Sequence, residues 1–170
     1  MDLSALLAES AQDAPDIDAL CGRWHIVKTS LAIWRRRSAP TITYARLPGA
    51  DVRLSDEIRY LGRRGRPGQL LGVDTQDAAE PRIFHWRGAG CVTRWLTSSW
   101  CFVDHDPGWR IWAVTYFSAT PFTAAGLDIY ARTPDLAGDT LAAIEARLSR
   151  IAPLAPLLPT LFAPGQGNDS

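Results

Sequence analysis

Lysine is almost absent from this chain: Lys28 is the only one among 18 basic residues, and these equal the 18 acidic ones, for a formal net charge of zero. Without net charge there is no global field to gather nucleic acid or another polyanion, so no nucleic-acid partner is expected. Cysteine is scarce as well. Cys21, Cys91 and Cys101 form an odd set without metal-site spacing, which favours free thiols in a reducing compartment and leaves a Cys91–Cys101 bridge open. No apolar run reaches the roughly 18 residues that a spanning helix needs. Residues 1–20 carry Asp2, Glu9, Asp13, Asp16 and Asp18 where a secretion signal would have an uninterrupted apolar stretch, and Asp18-Ala19-Leu20 before Cys21 lacks the small residues of a lipid-attachment site. A cytoplasmic location is therefore expected. There is no internal repeat, no nucleophile motif, no phosphate-binding loop and no metal-ligand spacing, so neither a cofactor nor a metal is expected.

What is present is a patterned middle. With 170 residues, 46% of them hydrophobic and 21% charged, the chain suits one domain with a well-buried core. Between its ends, polar and apolar residues alternate in short runs cut by glycine and proline. Eight strands are predicted at 22–31, 40–47, 51–61, 68–76, 82–88, 93–104, 109–118 and 124–132. The connections Pro48-Gly49-Ala50, Gly65-Arg66-Pro67-Gly68, Ala78 to Pro81 and Asp106-Pro107-Gly108 are hairpin-like, so consecutive strands should pair in order. Closing such a meander removes its unpaired edges. The expected fold is all-β, an eight-stranded antiparallel up-and-down barrel just wide enough to hold one small ligand.

Helical spacing is confined to the ends. Thr133-Pro134-Asp135 supplies a helix start, and Leu136, Leu141, Ile144, Leu148 and Ile151 then form one apolar stripe suited to the barrel's outer wall, with Pro153 as the stop. Leu157 to Phe162 reads either as a short ninth strand or, with Pro153, Pro156 and Pro159 spaced by three, as an extended tail that could serve protein interaction. The division expected is a helical or irregular lead-in over 1–20, one barrel domain with its helix over 21–164, and a disordered tail over 165–170.

Gly22-Arg23-Trp24 heads the first strand, and Arg132 ends the last strand before the helix. Together they resemble the signature of the lipocalins, the bacterial and apolipoprotein D-like members above all, over about Asp16 to Phe162. The resemblance implies that Trp24 plugs the closed barrel floor and that Arg132 stacks across its ring. Ala131-Arg132-Thr133 followed by a helix matches the family's third motif. In Val103-Asp104-His105 only Asp104 matches its second. If Arg132 points to the floor as in the family, alternation brings Tyr130 and Asp128 into the lumen. A carboxylate there must be paired, hydrogen-bonded or protonated, with Arg110, Tyr116 or a ligand head group as partner. The reversed register would leave Asp128 in solvent.

Seven tryptophans, four tyrosines and five phenylalanines are available for core packing or for an aromatic lumen. Trp34, Tyr44, Trp86, Trp112, Tyr116, Asp128 and Tyr130 are the candidate ligand-binding residues, with Gly22, Trp24, Asp104 and Arg132 as the structural motif. The expected function is carriage of a small hydrophobic or amphipathic molecule, such as a fatty acid or lysophospholipid, in the lumen. Leu31, Ile33 and Trp34 running into Arg35, Arg36 and Arg37 also suit contact with an anionic membrane surface, and pairing of two chains is left open. The alternative is a lipocalin-like isomerase or cyclase that moves a proton with Asp128, Tyr116 and His85. His105, between Asp104 and Asp106, reads as part of a polar turn, and His25 as a wall residue.

Overall fold

The computed structural model describes residues 3–10, 13–91, 93–121 and 123–165. Its eight strands are β1 (Gly22–Thr29), β2 (Ser38–Arg46), β3 (Arg53–Leu61), β4 (Pro67–Gln76), β5 (Ile83–Gly88), β6 (Thr97–His105), β7 (Trp112–Phe117) and β8 (Gly126–Ala131). Each pairs antiparallel with its neighbours in chain order, and β8 returns to β1 to close the barrel. The eight strands anticipated from the sequence are all present, with ends displaced by a few residues.

The floor is built by short-range chemistry. Asp16 caps α2 (Ile17–Leu20) by accepting from the Asp18 and Ala19 amides. Trp24, fully buried, donates its indole N–H to the Leu20 carbonyl at 2.9 Å. The Arg132 guanidinium lies 3.5 Å above the Trp24 ring and donates to the carbonyls of Ala19, Leu20, Arg23 and Trp109. Gly22 has φ +102°, and a Cβ there would stand 3.2 Å from the Arg132 guanidinium, so both backbone and space call for glycine.

The outer wall of β5 to β8 carries a second core. Leu3, Leu6 and Leu7 of α1 (Leu3–Glu9) and Ile144 and Leu148 of α3 (Gly138–Leu148) pack on Cys101, Val103, Trp112, Val114, Tyr116, Leu127 and Ile129. Two ion pairs anchor α3: Arg147 to Asp104 at 2.6 Å, and Lys28 to Glu145 at 3.2 Å. Asp104 is thus a tie between barrel and helix. The helix begins at Gly138, later than Thr133-Pro134-Asp135 suggested, because Thr133 turns back to donate to the Asp135 carbonyl. Ile151 lies beyond its end but still packs on the same core.

Neither reading of Leu157 to Phe162 holds. Ala155–Thr160 forms a 3-10 helix, and only Phe162 pairs as a strand would, exchanging two backbone hydrogen bonds with Thr29. Gly165 donates to the Trp34 carbonyl, while 166–170 of the expected disordered tail lie outside the described residues. All three cysteines are free, with Cys101 buried in the outer core and Cys91 exposed.

Trp24 closes the floor on which the whole barrel is seated. Its replacement by alanine is expected to cost about 3 to 5 kcal/mol, read as a lowered midpoint in chemical denaturation.

Candidate functional site

Opposite the floor the lumen is walled by the inward positions of all eight strands. On β8 these are Asp128 and Tyr130, as the alternation from Arg132 requires, and both are almost fully buried. On β1 a bulge between Ile26 and Lys28 breaks the alternation. Regular alternation from Trp24 and Ile26 would bring Lys28 inside. The bulge instead leaves Lys28 on the outer wall with Glu145 and places Thr29 opposite Asp128, to which it donates at 2.5 Å.

Two further carboxyls share this interior. Asp56 on β3 and Asp74 on β4 are diagonal neighbours, in register with Gly72 and Leu54 respectively, and both are buried. Trp100 donates its indole N–H to Asp74 at 2.7 Å and stacks on Phe84 and Tyr44, with centroids at 4.7 and 5.9 Å. Trp86 lies over Gly72, so close that any side chain there would collide with the indole. The Trp86 ring faces Asp56, and the Trp34 ring faces Asp128. Neither indole N–H closes a hydrogen bond. Among the described residues Trp34 Nε1, Trp86 Nε1, Asp56 Oδ1 and Asp74 Oδ2 are therefore buried polar atoms without partners. The side chains of Tyr44 and Tyr130 interact with each other, and both rings feel the neighbouring acids, Asp56 and Asp74 at Tyr44 and Asp128 and Asp56 at Tyr130.

Nothing cationic offsets these acids. Among the described strand residues, the basic side chains in register with the lumen are Arg46 and His105, and both lie at the floor. Arg46 is exposed and faces Asp18, while His105 stacks on Trp109 at 4.0 Å. Burial consequently raises all three carboxyls. Asp128 moves from 3.8 to about 7 through desolvation, opposed by the Thr29 hydroxyl that donates to it and by the facing Trp34 indole. Asp56 and Asp74 are raised by desolvation first, and at Asp56 by the adjacent Asp74 charge as well. The phenols of Tyr44 and Tyr130 are pushed well above their ordinary range by the same burial.

The mouth is closed by the loop after β1. A 3-10 turn, Ala32–Trp34, inserts Trp34 edge-on against Tyr60 at 5.9 Å, and Arg37 covers the Tyr60 ring at 4.3 Å. Trp34 is only 4% exposed.

Of the residues named from the sequence, Trp34, Tyr44, Trp86, Asp128 and Tyr130 thus meet in one interior. Trp112 and Tyr116 do not. They pair with Ala131 and Leu127, which point outward because Asp128 and Tyr130 point inward, and both rings lie in the outer core beneath the helices. His85 is likewise on the outer face, bonded to Ser99 and Asp77. Neither Arg110 nor Tyr116 partners Asp128, because Thr29 does. Sequence reasoning missed Asp56, Asp74 and Trp100. The alternation Leu54, Asp56, Ile58, Tyr60 held the signal for the first of these.

Asp128 yields a prediction with a definite sign. Its folded pKa is raised, so its contribution to stability is fully present below its ordinary 3.8 and lost as the pH rises through about 7. Asn cannot ionise. The stability of Asp128→Asn relative to wild type should therefore improve between about pH 4 and pH 8, by at most about 4 kcal/mol, in denaturant titrations at each pH. A constant difference would contradict the buried, raised carboxyl.

No family model matches the sequence, and no curated protein matches it. Solved structures do. Lobster apocrustacyanin A1 aligns with a TM-score of 0.69 at 13% identity, covering 96% of this chain and 86% of its own. Apocrustacyanin C2 aligns at 0.68 and 13%, covering 98% and 87%. The amine binding protein of Rhodnius prolixus, solved as its tryptamine complex, aligns at 0.64 and 12%, covering 91% and 82%. Eight strands closed in chain order, a Gly22-Trp24-Arg132 floor, an outer helix and likeness along nearly its whole length give this chain the lipocalin fold.

Proposed function

We propose that the barrel binds a small molecule whose protonated amine sits between Asp56 and Asp74 and whose apolar or aromatic body lies against Tyr44, Trp86 and Trp100. The observation that carries this reading is the pair of unpartnered buried carboxyl oxygens, Asp56 Oδ1 and Asp74 Oδ2, in a lumen without a buried cation among the described residues. A buried polar atom left without a partner costs about 1 to 3 kcal/mol, and more for a charged group. An ammonium donates to both carboxyls and sets its charge over neighbouring ring faces, so one ligand group meets both open acceptors. The amine binding protein with the same fold, seen with tryptamine, supports this choice.

A fatty acid or lysophospholipid fits less well. The arginines that could receive its anionic head stand at the mouth, and its alkyl tail would lie against buried carboxyls whose open acceptors it cannot meet. The enzyme reading keeps one specific support, the Asp56/Asp74 pair, since adjacent carboxyls of raised pKa can divide acid and base roles. Of its original candidates only Asp128 lies inside; Tyr116 and His85 are on the outer wall.

Calorimetric titration with tryptamine, its neutral alcohol analogue tryptophol, and laurate separates these readings. Tryptamine should saturate one site and bind more tightly as the pH rises from about 5 to about 8, because Asp74, raised to about 7, ionises over that range. Asp74→Asn should weaken it about ten- to a hundredfold, the worth of a hydrogen bond to a charged group. Saturation by laurate with silence from tryptamine would overturn the proposal in favour of a lipid carrier.

A further inference from the structure

The four loops at the mouth are 30–37, 62–66, 89–96 and 118–125, and they contain no aspartate or glutamate. They do contain arginine: Arg35, Arg36 and Arg37 on the first, Arg63, Arg64 and Arg66 on the second, and Arg94 on the third. None of the seven makes an ion pair among the described residues, and six are exposed, Arg37 being half-buried. The floor leans the other way, with Asp51, Asp77, Glu80 and Asp106 against Arg82 and Arg110 on its loops, Arg132 over Trp24, and Asp13, Asp16 and Asp18 on the lead-in. A chain of zero net charge is therefore polarised along its barrel axis, with unpaired cations gathered at the mouth.

The same end exposes apolar side chains beyond ordinary surface practice. Trp95 is 77% exposed with the Arg94 guanidinium 4.8 Å over its ring, and Ile33, Leu61 and Leu96 are each more than a third exposed. Trp34, which the sequence offered as the apolar contact, is committed to the mouth, so Trp95 takes that place at the tip. Cations without counter-charges surrounding protruding Trp, Ile and Leu side chains match two layers at once: an anionic headgroup plane and the acyl boundary beneath it. A soluble polyanion would satisfy the arginines but leave the apolar tips in water. Among the described residues no helix is long and apolar enough to cross a membrane.

From this pairing of charge and exposure we infer that the mouth of the barrel docks on an anionic lipid bilayer, with Trp95, Leu96 and Ile33 entering the interface and the arginines reading the headgroups. This docking is independent of what the lumen holds. It places Trp34 and the lumen behind it directly over the membrane.

Co-sedimentation of the full chain with phosphatidylcholine vesicles, with or without phosphatidylserine, tests it. Binding is expected only where phosphatidylserine is present, and it should fall as salt is raised. The triple substitution R63Q/R64Q/R66Q should lower the partition coefficient about a hundredfold, at about fivefold per arginine. Trp95→Ser, at an exposed position, should weaken vesicle binding while leaving retention on heparin unchanged. Equal binding to neutral vesicles, no vesicle binding, wild-type binding by either variant, or binding to heparin alone would overturn the proposal.

Discussion

The stack of Arg132 on Trp24 is the contact from which the interior follows. It joins the first strand to the last, and so sets the register in which β8 meets β1 and closes the barrel. Once Arg132 is held over the floor, every second residue before it must face the lumen, which takes Tyr130 and Asp128 inside and sends Ile129 and Leu127 out to the helices. Antiparallel pairing then carries the assignment to β7, where Thr115 is an inward partner and Tyr116 an outward one. One cation over one ring thus decides which acids are desolvated.

The consequence is an interior that is expensive to leave alone. Three carboxyls are buried among Tyr44, Trp100, Phe84 and Tyr130, and the β1 bulge turns away the only lysine in the chain, which regular alternation would have set beside them. A fold optimised for stability alone would fill such a space with apolar side chains, since replacing buried ionic groups in that way is often stabilising. Raised pKa values let part of the cost be met by protonation, at the expense of stability above neutral pH. A ligand that brings its own charge removes the same cost without the proton. The polar middle of this barrel is better explained by binding than by folding.

Much of this was legible before the structure. Turn residues and period-two runs marked all eight strands, and the two-residue step back from Arg132 put Asp128 and Tyr130 inside because β8 runs without a bulge. A two-residue step forward from Trp24 would mislead for the opposite reason, since nothing in Ile26-Val27-Lys28 announces an extra residue. Trp112 and Tyr116 were misplaced because β7 is buried on both faces, one against the lumen and one against α1 and α3, and a strand covered on both sides loses the alternation that tells them apart. Asp56 and Asp74 went unnoticed because β3 and β4 carry no motif to anchor their register, although Leu54, Ile58 and Tyr60 around Asp56 trace an apolar face. Their pairing with Trp86 and Trp100 arises only when the barrel closes.

The account stands on carboxyls that burial pushes toward the protonated form when the lumen holds no cation and that ionise when an ammonium arrives. Titrating tryptamine near pH 7 in two buffers of different ionisation enthalpy reads this directly, because any proton released on binding is taken up by the buffer and adds its heat. The account predicts net proton release on binding, lost or reduced in the Asp56→Asn/Asp74→Asn double variant. Binding with no proton release, or with uptake, would show that the buried acids are not the amine's partners.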